Sequence, residues 1–458
     1  MNNFKLTLLL FSLCLIFFLP GAHADNNLNT NAEPILLKLN DAINQSLKNN
    51  PAIKAANFNL KSFIYEEKAA GSLRLPKIDF QEKAARTTNP MWAFGTKLNQ
   101  ERITISDFNP LSLNNPDAIN NFSSVLSLII PIYAGGKIIN GLKIAEFGKK
   151  AAILNLEQVK ENTIKNTIKT YLKLLLVKKN LEVLHLAINS AKANLKLVQS
   201  RYGSGFSVKS DLLRAKVRLS TLEQKKFKAR GCIKIARAYF NAAMGLPINT
   251  FSDAVETLEI IQPVKNKVDV FINMAINNRN EIKIMKIQEA IAQKAINMAK
   301  ADHLPMINAF GNYEMDSENF GSHGSNYTIG ALISFNIFNG NKINSQIHSA
   351  RAKLMRIKEL TNATELKVRV DVREAYCHGI SAWESIKVAK TTIHQAEESL
   401  RIIKNRYENG LVTMVSLLDG DLALEEARTN YYKSVYDYRV ALTDLKWASG
   451  IILNHQKQ

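Results

Sequence analysis

The residue types that most often carry chemistry are sparse and scattered in this chain. Its eight histidines form no spaced cluster, its ten methionines form no run, and its three cysteines lie far apart at Cys14, Cys232 and Cys377. Metal sites and nucleophilic sites need such residues at short, characteristic spacings. No phosphate-binding loop, nucleophile triad or metal centre can be recognised. The sequence therefore predicts no cofactor, no bound metal and no enzymatic activity.

The first 24 residues have the organisation of a secretory signal peptide. Lys5 precedes an apolar run from Leu6 to Leu19, and the small-x-small site Ala22-His23-Ala24 follows a Pro20-Gly21 break. The run has 14 residues, fewer than the roughly 20 that a transmembrane helix needs. We therefore predict that residues 1–24 are removed and that the chain is exported.

Removal of the signal peptide leaves Cys232 and Cys377, at non-equivalent places within helical stretches. Two cysteines in a long exported chain do not make a disulfide framework, so we predict small buried or interfacial residues. The net charge of +20 could favour nucleic acid or anionic lipid. Because the lysines are spread along the helices without an aromatic-interleaved patch, we predict a solvated basic surface and no nucleic-acid partner.

The chain contains the same structural unit twice. The positions that match at an offset of 205 residues are Arg201–Gly205 with Arg406–Gly410, Tyr133 with Phe338, and Gly245 with Gly450. Leu75-Pro76 recurs as Leu304-Pro305 at an offset of 229, so the first copy holds 24 extra residues. A repeat of this length duplicates a whole unit rather than a short solenoid motif. The sequence therefore predicts pseudo-twofold symmetry.

Each copy is predicted to contain one very long helix and one returning helix. The long helices, at about 137–202 and 341–407, lack proline and repeat Ala, Leu, Ile, Lys and Glu at helical spacing. Each ends at an Arg-Tyr-x-x-Gly break, and we expect hydroxyl caps near Ser210 and Ser416 on the returning helices at about 208–244 and 413–449. Shorter helices are predicted at about 38–49, 51–71, 268–277 and 281–301.

Between the helical stretches, the apolar period changes from 3.6 to 2, which predicts one β-hairpin per copy, at about 77–133 and 306–338. In the last strand, Ile329, Ala331, Ile333, Phe335 and Ile337 share one face. Periodicity alone favours hairpins that cover a soluble core, but this exported chain has no other wide globular segment for them to cover. Strands of 10 to 12 residues can cross a bilayer only within a closed barrel. Four strands are too few to enclose a lumen, so several chains must share one. The extra residues of the first hairpin, within 87–121, predict an enlarged loop, which is a candidate lid or a target for phages and antibodies, or a segment without a specific role.

The predicted organisation is a signal peptide, two structural repeats and the segments around them. Their bounds are 1–24 for the signal peptide, 25–247 for the first repeat, 248–267 for a linker, 268–451 for the second repeat and 452–458 for a C-terminal tail. Within the repeats, the long helical hairpins occupy about 137–244 and 341–449.

This plan resembles the TolC-type outer membrane efflux proteins of Gram-negative bacteria over essentially the whole mature chain. The resemblance rests on the duplicated order of elements, the turn at Pro131–Gly136 and the paired Arg-Tyr-x-x-Gly turns. It implies a mixed α and β membrane protein: a homotrimer whose chains each supply four strands to one twelve-stranded β-barrel. A long α-helical barrel would continue the strands across the periplasm.

The resemblance further implies a passive exit duct in the outer membrane lipid, with its helical part in the periplasm. Such a duct serves a tripartite efflux system or a type I secretion system. It works with an inner-membrane transporter through a periplasmic adaptor protein. Drug efflux and protein secretion use the same kind of duct, so both remain open, and the lack of His or Met clusters gives metal export no support.

The resemblance implies an acidic periplasmic entrance just after the two turns. The family acid of the first copy matches Asp211, and the acid pair of the second copy matches Ser416 and Asp419, so one of the pair is absent. An acid in the first turn of a helix also interacts with the helix dipole for about 0.3–1 kcal/mol, which is an alternative reason for these residues. The basic residue that helps to hold some family members closed matches Val412, which cannot form that charge pair.

Adaptor docking is expected at the two turns, at Gly205 with Phe206 and at Gly410 with Leu411. The glycines also have a purely structural explanation, because the turn needs a positive φ angle. The main alternative for the whole chain is a periplasmic coiled-coil interaction protein without a pore, which the long helices alone would fit equally well. The pair of amphipathic hairpins favours the duct. An exported basic enzyme is disfavoured because no acid, base and nucleophile gather near any one turn.

Overall fold

The computed structural model describes residues 35–321 and 323–453. The predicted signal peptide and residues 454–458 of the predicted tail lie outside this part. The elements up to the end of the first copy are β1 (Ile35–Leu37), α1 (Leu39–Asn49), α2 (Pro51–Ser72), β2 (Lys77–Thr87), α3 (Pro90–Asn99), α4 (Pro110–Asn114), β3 (Ile119–Ala134), α5 (Lys137–Gly203) and α6 (Lys209–Met244). They are followed by β4 (Ser252–Ala254), α7 (Val268–Asn278), α8 (Asn280–Ala301), β5 (Met306–Ser317), β6 (His323–Ser334), α9 (Lys342–Glu408) and α10 (Met414–Ala448).

All eight predicted helices are present, with ends within two residues of the predicted ones. The predicted hydroxyl caps at Ser210 and Ser416 are wrong, because both residues lie inside their helices. Helix α6 begins after Val208, which supplies no side-chain cap. Helix α10 is capped by Thr413, whose hydroxyl accepts a hydrogen bond of 3.3 Å from the N–H of Ser416.

The two copies repeat one junction between a short-helix pair and the end of a returning helix. In the first copy, the Asn50 amide donates a 2.9 Å hydrogen bond to the carbonyl of Ala243. In the second copy, Arg279 donates a 3.4 Å hydrogen bond to the carbonyl of Ala448. Each bond satisfies a carbonyl in the last turn of a helix, which has no partner within the helix. The duplication is therefore visible in the contacts as well as in the order of elements.

Four strands form one antiparallel sheet in the order β2-β3-β5-β6, so the two hairpins lie side by side. Strand β6 ends at Ser334, although the alternating pattern predicted a strand to residue 338. Ser334 pairs with Met306, the first residue of β5. Pro305 precedes Met306 and has no N–H to donate, so the pairing stops there. Strands β1 and β4 form a separate parallel pair. The sequence did not predict it, because segments of three residues are too short to show an alternating pattern.

The long helices form a layer at two levels. Near the sheet, neighbouring helices follow the order α2, α5, α8, α9. Farther from the sheet, the order is α6, α5, α10, α9. Between the levels lies the largest apolar core, built around Tyr171, Phe240 and Tyr438.

Within the described residues, no helix combines the length and apolarity needed to cross a membrane. Cys232 and Cys377 are both exposed in the chain. The prediction that they are small buried residues is therefore wrong for the single chain. Both lie on helix faces that the other helices of the same chain do not cover.

Candidate functional site at the helical tips

The turns α5–α6 and α9–α10 are the tips of the two helical hairpins, and they share one geometry. Gly205 has a φ of 79° and Gly410 a φ of 75°, the left-handed conformation that a glycine adopts without steric cost. The closing hydrogen bonds run from the N–H of Phe206 to the carbonyl of Arg201 at 2.8 Å and from the N–H of Leu411 to the carbonyl of Arg406 at 2.9 Å. These bonds satisfy carbonyls at the helix ends, as in a Schellman motif.

The two tips pack against each other. The Arg201 guanidinium donates a 2.7 Å hydrogen bond to the carbonyl of Glu408 and lies 5.4 Å from the centre of the Tyr407 ring. Burial raises the pKa of the Tyr407 hydroxyl. The buried apolar residues beneath the tips are Val198, Ala215, Tyr407, Met414 and Leu417. The tips of one chain thus form a single packed unit.

The predicted entrance residues lie next to these tips of the helical hairpins. Asp211 is half-buried and accepts a 3.3 Å hydrogen bond from the Ser207 hydroxyl. Ser416 is half-buried, and Asp419 is exposed. All three belong to the first two turns of α6 or α10. Val412, which cannot form the charge pair found in some family members, packs against the apolar cluster of the tips.

The predicted docking residues are open to solvent. Phe206 is 76% exposed and Leu411 is 74% exposed, each beside the glycine of its turn. Large apolar side chains at the end of a helical hairpin gain nothing from folding when they stay exposed. Their exposure favours a contact with a partner, while Gly205 and Gly410 are already explained by the turn.

Sequence reasoning missed a buried polar cluster just behind the tips. Asp421 on α10 accepts a 2.7 Å hydrogen bond from Ser190 and another from Asn194, both on α5. Burial raises the pKa of Asp421, and the hydrogen bond from Ser190 opposes that shift. One helical turn further along α10, the Glu425 carboxylate accepts hydrogen bonds from Arg218 at 2.6 Å and from Lys225 at 2.8 Å, both on α6. This cluster joins three helices through charged groups.

The signal for this cluster was present but weak. Leu417 is fully buried, and Asp421 and Glu425 follow it at helical spacing on the same face of α10. An acid on a buried helix face needs a partner, because an unpaired buried charge is very costly. The sequence does not say which of the many basic residues supplies it.

A second buried acid lies at the junction of α5 and α8. The Glu161 carboxylate is 6% exposed and accepts a 3.2 Å hydrogen bond from the Asn280 amide. Burial raises its pKa from 4.5 to about 7; the charge of Arg279 opposes the shift, and those of Glu157 and Glu281 add to it.

Glu161 should make the stability of the protein depend on pH. Its pKa is higher in the folded state than in the unfolded state, so the folded state binds the proton more tightly between pH 4.5 and about 7. Stability should therefore fall as the pH rises through this window, by roughly 3 kcal/mol in total. Replacing Glu161→Gln should remove the fall and leave the variant more stable than the parent protein at pH 8. Urea unfolding followed by circular dichroism at several pH values measures this.

Glu426→Gln on α10 is the matched control for this prediction, because Glu426 is exposed. It should leave the pH dependence of the parent protein unchanged. A Glu161→Gln variant with the same pH dependence as the parent would show that Glu161 titrates as an ordinary surface acid.

The described residues include no group of three or more His, Cys, Asp or Glu side chains placed to hold a metal ion. The fold belongs to a structural class in which an amphipathic four-stranded sheet continues into two long, symmetry-related helical hairpins. Residues 42–246 and 271–450 match the family model of the outer membrane efflux proteins. The chain belongs to this family and is thus an outer membrane protein.

Individual relatives are distant in sequence. The outer membrane protein TolC of Salmonella enteritidis is 22% identical over 200 residues, which cover 41% of this chain and 40% of TolC. The alkaline protease secretion protein AprF of Pseudomonas aeruginosa is 20% identical over 317 residues, 67% of this chain and 65% of AprF. The chain therefore spans about two fifths of the length of the TolC relative.

Among solved structures, the CmeC outer membrane channel of Campylobacter jejuni has the same fold. It superposes with a TM-score of 0.77 and 17% sequence identity, over 92% of this chain and 88% of that chain. The family match and this superposition confirm the predicted family and the predicted fold class.

Proposed function

We propose that this chain is one subunit of an outer membrane exit duct. Three copies close one twelve-stranded barrel and continue it as a helical barrel into the periplasm. One observation carries the proposal. On the same two sides of the chain, the amphipathic sheet ends in a strand without a partner and the helical layer ends in a helix with exposed apolar residues. The chain conducts a substrate and catalyses no reaction.

Most rows of paired residues give the sheet one apolar and one polar face. The exceptions are the row of Lys77, Ile129 and Phe310 on the polar face and the row of Glu82, Ser124 and Ser325 on the apolar face. Two rows of paired residues on the apolar face are Phe80, Leu126, Tyr313 and Tyr327, and Ile78, Leu128, Gly311 and Ile329. A row on the polar face is Asp79, Ser127, Asn312 and Thr328. From Tyr327 to Ile333 the apolar face extends roughly 20 Å along β6. This pattern suits a tilted strand with lipid on one side and water on the other.

The two outer strands, β2 and β6, have a partner on one side only. In lipid, each unpaired backbone group on such an edge would cost several kcal/mol, so both edges require a neighbour. The helical layer is open in the same way. Exposed apolar residues on its outer helices include Val217, Phe227 and Tyr239 on α6 and Leu366, Val370 and Val388 on α9. Pairing β6 and α9 of one copy with β2, α2 and α6 of the next covers both edges.

Three copies satisfy the geometry of a barrel. Four strands cannot enclose a lumen, whereas twelve strands form a barrel with an open interior. The head-to-tail contact between copies closes into a ring, which leaves no edge exposed to lipid. The polar row with Asp79 and Asn312 then faces the water-filled lumen.

The duct itself is passive, and the energy for transport comes from an inner-membrane transporter. A periplasmic adaptor protein couples the two by binding the exposed tips at Phe206 and Leu411. The family match and the similarity to AprF, a protein named for protease secretion, support a role in a tripartite efflux system or a type I secretion system.

At the periplasmic entrance, Asp211 and Asp419 from three chains form a ring of negative charge. Ser416 stands where the family has a further acid, so this ring carries fewer charges than the family's ring. Replacing both acids, Asp211→Ala and Asp419→Ala, should lower the preference of the channel for cations and weaken its block by divalent cations. Single-channel recording in planar bilayers under a salt gradient measures both quantities.

The matched control is Asp437→Ala, an exposed acid on α10 that lies 18 residues, or roughly 27 Å, beyond Asp419 along the helix. It should leave cation preference unchanged. If the double variant at the tips also keeps the parent's ion preference and block, Asp211 and Asp419 have a helix-end role only.

The test of the duct is the conductance of the purified, detergent-extracted protein in a planar bilayer, combined with its mass in detergent. Stable, discrete conductance from a species of three chains is the expected result. A water-soluble monomer or a coiled-coil oligomer without conductance would overturn the proposal. The chain would then be a periplasmic interaction protein whose hairpins cover another surface.

A further inference from the structure

We propose that the loop between β2 and β3, residues 88–118, is a lid folded inward over the lumen, and that the three lids of a trimer seal the external mouth through their exposed apolar residues. This inference rests on the proposed duct. It adds a closure at the end opposite to the periplasmic tips. The sequence predicted an enlarged loop with a lid as one of several roles, and the structure shows that it contains α3, a short 3₁₀ helix at Ile105–Phe108 and α4.

The face of the sheet on which the loop lies decides where the lid points. Gly324 belongs to the row of Lys83, Ser123 and Asp316, which is on the polar face. A Cβ atom at Gly324 would lie 2.1 Å from the carbonyl oxygen of Asn99, at the end of α3. The backbone of α3 therefore rests directly on the polar face, and no larger residue fits beneath it. In the proposed barrel this face lines the lumen.

Polar contacts hold the end of α3 in this position. Gln100 is 4% exposed, and its amide donates hydrogen bonds to the Asn120 carbonyl at 2.9 Å and to the Asn121 side chain at 2.8 Å. The Asn121 amide in turn donates a 2.6 Å hydrogen bond to Asp316, which is 1% exposed. Arg102 forms a 2.6 Å ion pair with Glu318 across the end of the sheet. A loop that pointed away from the lumen could not form these hydrogen bonds with buried residues of the polar face.

The loop is also stiffened internally. Lys97 of α3 forms a 2.6 Å ion pair with Asp107. Asp107 also accepts a 2.8 Å hydrogen bond from the N–H of Thr104. The ring centres of Phe94 and Phe108 lie 5.7 Å apart in an edge-to-face arrangement. These contacts hold α3 and the 3₁₀ helix together as one body, so the loop moves as a lid rather than as a flexible strand.

This body exposes large apolar side chains among its polar ones. Met91 and Leu111 are each 78% exposed, Trp92 is 69% exposed and Ile105 is 94% exposed. On an extracellular loop in contact with water, four large apolar side chains that are this exposed favour a partner that covers them. Because the loop lies on the lumenal side, the surface nearest to it in a threefold assembly is the same loop of the other two chains.

The dimensions permit this contact. Twelve strands about 4.8 Å apart and tilted by about 40° enclose a backbone diameter of roughly 24 Å. A helix with its side chains is roughly 10–12 Å wide. Three α3 segments that project inward would therefore fill most of the cross-section. Their apolar surfaces would exclude water from the mouth, as hydrophobic constrictions do in other channels.

The test uses the full-length protein in whole cells and measures how fast a membrane-impermeant maleimide labels a lumenal cysteine. Asn312→Cys, in a background with Cys232→Ala and Cys377→Ala, lies on the polar face two rows deeper than Asp316. Asn319→Cys, exposed on the loop of the second hairpin, is the control for surface access. Labelling from outside does not depend on whether the periplasmic tips are closed.

Three variants open the lid in different ways. One replaces residues 90–115 with a short Gly/Ser linker, one is Gly324→Leu, which displaces the end of α3, and one combines Met91→Ser, Trp92→Ser and Leu111→Ser. In each, labelling of Asn312→Cys should become about tenfold faster or more, because the rate follows the open fraction of the lid. Labelling of Asn319→Cys should not change.

The outcomes separate the lid from the duct. A trimer in which all variants label at the parent rate would overturn the lid and leave the duct intact. Faster labelling in the first two variants with no change in the triple serine variant would overturn the apolar seal. A protein that forms no trimer in detergent would overturn the duct itself, and with it the basis of the lid.

Discussion

Replacing Glu425→Ala is expected to lower the free energy of unfolding by about 3–5 kcal/mol, because a buried charge then loses its partner. The Glu425 side chain is 8% exposed and binds both Arg218 and Lys225. Arg218 is 13% exposed, and without Glu425 its guanidinium would stay largely buried with no hydrogen-bonded carboxylate and only the charge of Asp421 nearby. The midpoint of urea unfolding, followed by the helical circular dichroism signal in detergent, measures the loss.

Two controls distinguish the buried pair from a general effect of removing an acid. Glu426→Ala changes the exposed neighbour of Glu425 and should shift stability by less than about 0.5 kcal/mol. The double variant Arg218→Met and Glu425→Leu replaces the pair with apolar side chains and should recover most of the loss. A Glu425→Ala variant as stable as Glu426→Ala would mean that Arg218 finds water instead of remaining buried.

The second large effect is expected at the paired junctions, where Gly245→Ala and Gly450→Ala should each cost about 2–5 kcal/mol. Both glycines have positive φ angles, 71° and 70°. A Cβ atom at Gly245 would lie 2.6 Å from the carbonyl oxygen of Asn49, and one at Gly450 would lie 2.8 Å from the Cβ of Asn278. Each substitution therefore combines backbone strain with a collision against a helix end. Urea unfolding again provides the measurement.

Gly340→Ala is the control that measures the cost of the positive φ angle without the steric collision. Gly340 has a φ of 64°, and a Cβ atom there would have no neighbour within 4 Å. Its substitution should cost only about 1–2 kcal/mol, the steric cost of the left-handed conformation. Equal losses for Gly340→Ala and Gly245→Ala would show that the junction relaxes around the new methyl group and that close packing there contributes little.

The two predictions concern the same property of the fold at different places. Apolar packing alone does not fix the register between long helices of weak amphipathic character, because one register buries almost as much apolar surface as the next. The Glu425 cluster and the Gly245 and Gly450 junctions accept one register only. They set how far each hairpin tip extends, and thus where Asp211 and Asp419 lie relative to one another.

The sequence by itself determined the elements and their order. Glycines at 205, 245, 410 and 450 end helices through the positive φ angle that they adopt at low cost, and Pro51 and Pro305 limit a helix start and a strand pairing. The strand faces followed from alternation with period 2. These signals act within a few residues, so one chain is enough to reveal them, and the offset of 205 residues placed both tips at the same end.

Only the tertiary structure decided which residues meet. Glu425 and Arg218 lie 207 positions apart in the chain, and no local pattern selects Arg218 from the basic residues of α6. The same holds for Asn99 on Gly324, which turned an enlarged loop into a segment folded on the polar face. Cys232 and Cys377 lie outside the packed faces for the same reason. Burial and pairing depend on how distant segments pack, whereas helix ends and strand faces depend on the residues that form them.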